Sequence, residues 1–504
     1  MSTSPEIANS VILSTQMFVA LSPILLLSFG VVLSLLLIAW QRSQKMIALF
    51  TQFILFSTLL LTLHLLSGDL LVGSGTQITT LLRVDRFSYL SFVLICFSAI
   101  VVVSLSRSVL KSEVEVHDEY YLLILLVVLG AGILVVSDHF ASLFLGFELL
   151  SISLVGLVGY FREHKYAVET GFKYLILSAT ASSFMLLGIA FIYSQTGNLS
   201  FAVSSNVMPF SEQPVQIFNS VGILLLFSGI AFKLSLAPFH FWSPDVYQGS
   251  PTPITLLMAT VSKVAMFTVL IKCCFSQNYF THESFIEIIT AVALLSMLVG
   301  NILALRQQKI KRLMAYSSIA HFGYLLIVLT VSSLENTDFA WQSALFYLFA
   351  YLLANIAIFT VLLISEKNRS NVDRDRDIHI IDWQGMFWKN RLSAVLIIFS
   401  ILGLAGIPLT MGFIGKFYLL NQAVLFKSWW LISGLVIGSG IGLAYYLPVI
   451  FTLFKNDRVI ENQNVDVSGV YLVTTGKQLF LFTLLIVTLL LGVFPDLVSQ
   501  FIYR

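Results

Sequence analysis

Four lysines, Lys173, Lys233, Lys263 and Lys416, fall inside long apolar stretches of the sequence. One glutamate, Glu148, stands in the equally apolar run Leu143-Phe144-Leu145-Gly146-Phe147-Glu148-Leu149-Leu150. A lysine at the centre of a bilayer costs about 2.5–3.5 kcal/mol on insertion scales, so four kept together mark a function rather than chance. Desolvation disfavours the charged form of an amine or a carboxylate, and an opposite charge close by favours it again. A glutamate and a lysine whose protonation depends on their separation therefore make a natural gate for a moving proton. Two plainer readings stand beside this one. Lysines near span ends can snorkel to the interface, which bears most on Lys173, and Glu148 can serve in a purely structural ion pair.

Histidines supply links between such groups, because an imidazole titrating near neutrality passes protons on without a large energetic step. His240 follows Lys233 by seven residues in Lys233-Leu234-Ser235-Leu236-Ala237-Pro238-Phe239-His240. His321 lies in the polar strip Tyr316-Ser317-Ser318-Ile319-Ala320-His321-Phe322-Gly323-Tyr324. Either histidine alone is more often a packing residue; the company of intramembrane lysines is what raises a relay role. His64, inside a span without such company, reads as structural.

The elements that must position these groups follow from composition. The chain has 504 residues, 58% hydrophobic and only 11% charged, with a mean hydropathy of +0.92. Soluble domains carry about 25% charged residues, and so apolar a surface is tolerated only in lipid. At about 20 apolar residues per span, fourteen spans are expected: 17–40, 46–67, 87–106, 119–136, 138–160, 168–194, 217–237, 252–275, 283–305, 310–331, 341–365, 392–423, 428–454 and 478–501. Only the Ser137-Asp138-His139 turn separates the fourth from the fifth. The connections are short, and the longest, 366–391, holds Asp373-Arg374-Asp375-Arg376-Asp377, which reads as a solvated loop. One set of loops carries nineteen Lys and Arg, from Arg42 to Lys477, and the other set with the C-terminus carries five, Arg83, Arg86, Lys272, Lys427 and Arg504. The bias places the first set in the cytoplasm and both termini outside.

Composition also excludes classes. A net charge of +2 offers no broad basic surface for nucleic acid. Three cysteines, Cys96, Cys273 and Cys274, make neither a metal spacing nor a disulfide framework, and the adjacent pair reads as lipid-facing or core filler. No glycine-rich dinucleotide fingerprint is present. The first residues lack a basic region, so the first span is expected to stay rather than be cleaved.

Two spans carry proline beside a lysine, Pro238 after Lys233 and Pro408 before Lys416. Proline breaks a helix, and broken helices at membrane depth line cavities and ion sites, often within inverted repeats. The seventh and twelfth spans stand five apart, so equivalent helices would enter from opposite faces. The expected organisation is three leading helices in 1–118, a first five-helix repeat in 119–275, an inverted second repeat in 283–455, and a loop with a last helix in 456–504.

The runs Leu143–Glu148, Phe232–Tyr247, Ile310–His321 and Leu404–Lys416 together resemble the antiporter-like membrane subunits of respiratory complex I, relatives of multisubunit cation/proton antiporter subunits. The resemblance runs across nearly all of the chain and is weakest in the first three spans. Among those subunits it is nearest to the bacterial N type. The M type typically carries glutamate where Lys416 stands, the L type continues past a fourteenth span, and Lys173 follows Glu148 by twenty-five residues. The resemblance implies Glu148 and Lys233 as a gating pair, Lys263 as the central relay, Lys416 as the distal lysine, Lys173 as a tuner of the pair, and His240 and His321 as bridges. Lys311 matches a basic residue of the family at a loop edge, although its position alone reads as a positive-inside anchor. It further implies a bacterial inner membrane, neighbouring antiporter-like and small quinone-side subunits and lipids as partners, and NADH, FMN, iron–sulfur clusters and quinone on those partners rather than on this chain. A sodium/proton antiporter subunit and a structural linker between pumping subunits are the rival readings.

Overall fold

The computed structural model describes residues 15–41, 43–68, 76–110, 119–162, 166–201, 214–276, 283–330, 337–367, 377–455, 475–496 and 500. Both termini, Arg42, Lys111, Lys165, Arg369, Arg458 and the Asp373–Arg376 part of the charged run lie outside the described residues.

Backbone groups surrounded by lipid must be satisfied within their own segment, so the spans are helices. Three lead: α1 (Thr15–Ala39), α2 (Gln44–Ser67) and α3 (Arg86–Leu110). Between α2 and α3 a short antiparallel hairpin pairs β1 (Thr76–Gln77) with β2 (Arg83–Val84). Then follow α4 (Glu119–Val136), α5 (Phe140–Val158), α6 (Ala167–Thr196), α7 (Pro214–Leu234) and the short α8 (Trp242–Gly249). The next span runs through α9 (Thr252–Leu257), a π-helical stretch at Met258–Ser262, and α10 (Lys263–Ser276). The second half holds α11 (Glu283–Ala304), α12 (Ile310–Leu325) extended by α13 (Ile327–Thr330), α14 (Thr337–Lys367), the single turn α15 (Met386–Lys389), α16 (Arg391–Ala405), α17 (Met411–Leu425), α18 (Trp429–Phe454) and α19 (Thr475–Val493).

Among the described residues, eleven helices are long and apolar enough to cross a membrane, and three shorter apolar ones lie at the seventh, twelfth and fourteenth expected spans. The chain is an all-α, multi-pass membrane protein. The fifth span starts at Phe140, two residues later than expected, because Ser137–His139 turns the chain and His139 Nδ1 accepts from the Ala141 amide at 3.1 Å. The eighth span, 252–276, is buried along its whole length, whereas α1, α6 and α11 turn most of their apolar surface outward. Glycines permit the closest crossings: a Cβ on Gly130 of α4 would lie 2.7 Å from the Leu150 amide of α5, and one on Gly300 of α11 would lie 2.6 Å from the Ala320 amide of α12.

Both spans that carry proline beside a lysine are broken, and each helix stops a few residues before its proline. The seventh stops at Leu234, where Ser235 takes a left-handed conformation (φ 60°), and the chain passes a cis Ala237–Pro238 bond before α8. The Trp242 indole donates across that gap to the Phe232 carbonyl at 2.7 Å, and Ser296 of α11 accepts the Ala237 amide at 2.9 Å. The twelfth stops at Ala405, with Gly406 at φ 83° and Leu409 at φ 71°. It restarts at Met411, where the Thr410 hydroxyl accepts the Phe413 amide at 3.3 Å.

Candidate functional site

A helix that stops inside the protein leaves its last carbonyls without amide partners and its dipole uncompensated, and a cation placed there answers both. Each break meets such a cation. Lys263, first residue of α10, donates to the carbonyl of Leu234, last residue of α7, at 2.7 Å, and to the Ser235 hydroxyl at 3.2 Å. Lys416 of α17 donates to the carbonyl of Ala405, last residue of α16, at 2.9 Å, and to the Ser439 hydroxyl of α18 at 3.2 Å. Both lysines are buried. An aromatic face supports each: Phe322 lies 4.7 Å from the Lys263 ammonium and Tyr324 lies 5.0 Å from that of Lys416.

Lys233, one residue before the end of α7, has a pocket of its own. Its ammonium donates to the Ser151 hydroxyl at 2.8 Å and to the Tyr174 hydroxyl at 2.6 Å, with the Phe147 and Tyr174 rings at 5.3 and 4.9 Å. Glu148 lies one turn before Ser151 on α5, half-buried between the outward-facing Leu145 and Ile152. The two charges are near enough to feel each other, but Ser151 and Tyr174, not the carboxylate, hold the ammonium. The Glu148–Lys233 pair, whose separation the sequence does not set, is therefore open in this structure.

Between Lys263 and Lys416 stands α12. His321 bonds the Tyr347 hydroxyl through Nδ1 at 2.6 Å and the Tyr446 hydroxyl through Nε2 at 3.4 Å. Tyr446 also meets the Ser317 hydroxyl, and Tyr351 donates to Ser318 at 2.8 Å. Tyr324, beside His321, shares its ring with Lys416 and its hydroxyl with the Asn301 amide at 2.8 Å. A small cavity lined by His321, Tyr347, Tyr351 and Gly412 opens beside the imidazole. The polar strip on α12 thus bonds α14 and α18 and reaches the pocket of Lys416. His240, by contrast, lies buried in the first break, stacked on Phe241 at 4.4 Å. Among the described residues it bonds neither Lys233 nor Lys263.

Several placements refine or differ from expectation. Lys173 is not buried: its side chain is half exposed and pairs with Glu169 one turn earlier at 2.7 Å, with Asp245 at 3.9 Å. It sits less than two turns into α6, where a long side chain reaches out of the span. Lys272, counted with the loops, is the fourth buried lysine, because α10 continues past it to Ser276 and the α3–α4 side closes over it. The adjacent Cys273 and Cys274 are buried with it, so that pair fills the core and does not face lipid. Lys311 is more than an anchor: it pairs with Glu366 at 3.1 Å and donates to the Ser250 carbonyl at 3.1 Å, while Thr252 donates to the same carboxylate at 2.6 Å. Asp377, read as part of a solvated loop, is clasped by Lys309 and Gln248, each at 2.7 Å. The lysines' partners, Ser151, Tyr174, Ser235 and Ser439, carried no signal in sequence, since a serine or tyrosine in a span is commonplace.

Among the described residues, two spans broken inside the protein, each with a buried lysine at its broken end, make an antiporter-like membrane architecture. Residues 137–442 match the family described as NADH:quinone oxidoreductase/Mrp antiporter, transmembrane, and the chain belongs to that family. A chain of respiratory complex I from Thermus thermophilus is 28% identical with a TM-score of 0.78, over 95% of this chain and 98% of that one. A chain of the membrane-bound sulfane sulfur reductase, an archaeal respiratory complex, superposes at 0.80 with 22% identity, over 97% of this chain and 96% of that one. A chain of the Mrp complex from Dietzia sp. does so at 0.80 with 17% identity and the same coverage. The last two likenesses speak to fold alone.

Proposed function

We propose that this chain is the N-type subunit of a bacterial NADH:quinone oxidoreductase and carries protons across the inner membrane through Glu148, Lys233, Lys263 and Lys416. The observation that carries the reading is the repeated one: each broken span ends on a carbonyl held by a buried lysine. Each ammonium also caps a helix end, but at about 2.5–3.5 kcal/mol per buried lysine two such caps are costly and point to a use for their protons. The 28% identity to the complex I chain supports a redox-driven assembly, and lysine rather than glutamate at position 416 argues for the N type over the M type within it. NADH, FMN, iron–sulfur clusters and quinone would reside on partner subunits. The loops rich in Lys and Arg would face the cytoplasm, and the recurring break would reflect two inverted repeats.

In this mechanism a charge change arriving from a neighbouring subunit moves Glu148 toward or away from Lys233. Contact with the carboxylate strengthens the hold of Lys233 on its proton, and separation weakens it. Lys263 and Lys416 respond in turn through the nearest charge, so the row titrates as a unit. His321 and its tyrosine hydroxyls offer the path between them, Lys173 tunes the acidic side, and His240 lines the first break.

The test is Lys233→Ala in membranes where assembly is verified on a native gel. The expected result is loss of both NADH:quinone turnover and proton pumping. Unaltered stoichiometry and rate would reduce the chain to a structural linker. Sodium–proton exchange that persists without NADH would instead assign it to an antiporter.

A further inference from the structure

Lys272 lies nine residues beyond Lys263 on the same span, about 13.5 Å along the axis, at the end that meets the β1–β2 hairpin. Its ammonium is almost wholly enclosed and has four oxygens around it. It donates to the Ser88 hydroxyl at 2.8 Å, the Val135 carbonyl at 3.0 Å and the Arg83 carbonyl at 3.1 Å, and pairs with Asp85 at 3.4 Å. Asp85 is about a quarter exposed, so one oxygen of the cage opens to water. A second carboxylate, Asp138 in the α4–α5 turn, is buried close enough for its charge to act on the same ammonium, although it makes no ion pair with it. The remaining charged and titratable neighbours are Arg83 on the hairpin, His139 beside Asp138, and Cys273 and Cys274 on α10. Inward from the cage, the Thr268 hydroxyl of α10 donates to Ser91 of α3 at 2.9 Å, and Ser91 lies one turn from Ser88.

We propose that Lys272, Asp85 and Asp138 form a second protonation site, through which the first half of the subunit releases protons at the membrane face carrying the hairpin. The proposal rests on the proton-carrying reading of the lysine row. The step is a simple transfer: the Lys272 ammonium gives its proton to a carboxylate, leaving a neutral amine and a carboxylic acid. Asp85 then loses that proton to water, and the neutral Lys272 amine takes its next proton from the lysine row, relayed by the Thr268, Ser91 and Ser88 hydroxyls. A cation that only pinned the hairpin would need one carboxylate. Here the ammonium pairs with Asp85, which is partly open to water, donates to three further oxygens, and also feels the enclosed Asp138. Burial pushes the Asp138 carboxyl above the usual carboxylate range while Lys272 and Arg83 pull against it, which suits an acceptor that holds a proton briefly.

Lys272→Arg separates the two roles, because a guanidinium keeps the charge and the donors but does not deprotonate in proteins. In inside-out vesicles holding assembled complex, the expected result is loss of lumenal acidification with the Lys233 pocket unaltered. Wild-type acidification by assembled Lys272→Arg would overturn the proposal. Should that variant not assemble, Asp85→Asn with Asp138→Asn decides. Loss of acidification supports the release site, and wild-type acidification across the pH range removes it. Lys233→Ala keeps the two readings apart: normal pumping there refutes the row itself, whereas loss there beside normal pumping in Lys272→Arg refutes this branch alone.

Discussion

At the scale of single residues, the site depends on oxygens that hold each ammonium as much as on the lysines. A hydrogen bond to a charged group contributes about 1.5–3 kcal/mol, and Lys233 has two such bonds. Tyr174→Phe removes one while keeping the ring that faces the ammonium. The expected outcome is an assembled complex whose turnover falls roughly tenfold or more, the rate equivalent of about 1.4 kcal/mol, read by NADH oxidation in membranes. Gly406 gives a second case. Its φ of 83° suits glycine, and a Cβ there would lie 2.8 Å from Lys416 Cδ and 3.2 Å from its Nζ. Gly406→Ala should cost about 1–2 kcal/mol in backbone alone and push Lys416 off the Ala405 carbonyl. Pumping should fall more than complex abundance does, as compared by native gel and vesicle acidification.

Sequence made the polar inventory legible and its depth only partly so. Lys233, Lys263 and Lys416 stood out because apolar residues flank them on both sides, and all three are buried. Lys173 and Lys272 exchanged roles for one reason: both lie near the ends of spans, where hydropathy averaged over a window does not say which end the neighbouring helices cover. Glu148 was legible as a charge in an apolar run. Its position on the outward stripe of α5 depends on helix phase against partners, which no single span encodes.

At the scale of elements, the prolines announced both breaks, and the structure moved them only by a few residues. The π-helical stretch at Met258–Ser262 had no such herald. A π-bulge amounts to one extra residue in an α-helix and often marks a functional position. By absorbing that residue, the stretch keeps the turns on either side in phase and leaves Lys263 facing the broken end of α7. Inserting an alanine between Ser262 and Lys263 should keep the span and turn Lys263 by about 100°, away from the Leu234 carbonyl. The expected outcome is an assembled complex that has lost pumping, with helix content unchanged by circular dichroism. Retained pumping would mean that the orientation of Lys263 toward the broken end of α7 does not matter.

At the scale of the whole molecule, the two halves meet along α12, and charged residues at one end tie them together. Arg312 reaches Asp245 of α8 at 2.6 Å, Lys309 holds Asp377, and Lys311 holds Glu366 of α14. The first two pairs are open enough to water that each should contribute only about 0–1 kcal/mol and weaken with salt. Lys311–Glu366 differs, since the lysine side chain is 14% exposed and the carboxylate 29%. Removing one partner of an enclosed pair strands the other, and full burial would make that cost about 3–5 kcal/mol; partial access to water reduces it to roughly 1–3 kcal/mol. Lys311→Met should therefore lower the thermal midpoint of the solubilised complex, and so should Glu366→Gln. The double variant should recover part of the loss, because neither group is then left charged and unpaired. Additive losses would mean that the two side chains act separately. In that case the Ser250 carbonyl fastens α12, and the Thr252 hydroxyl α14, to the start of α9 without help from the ion pair.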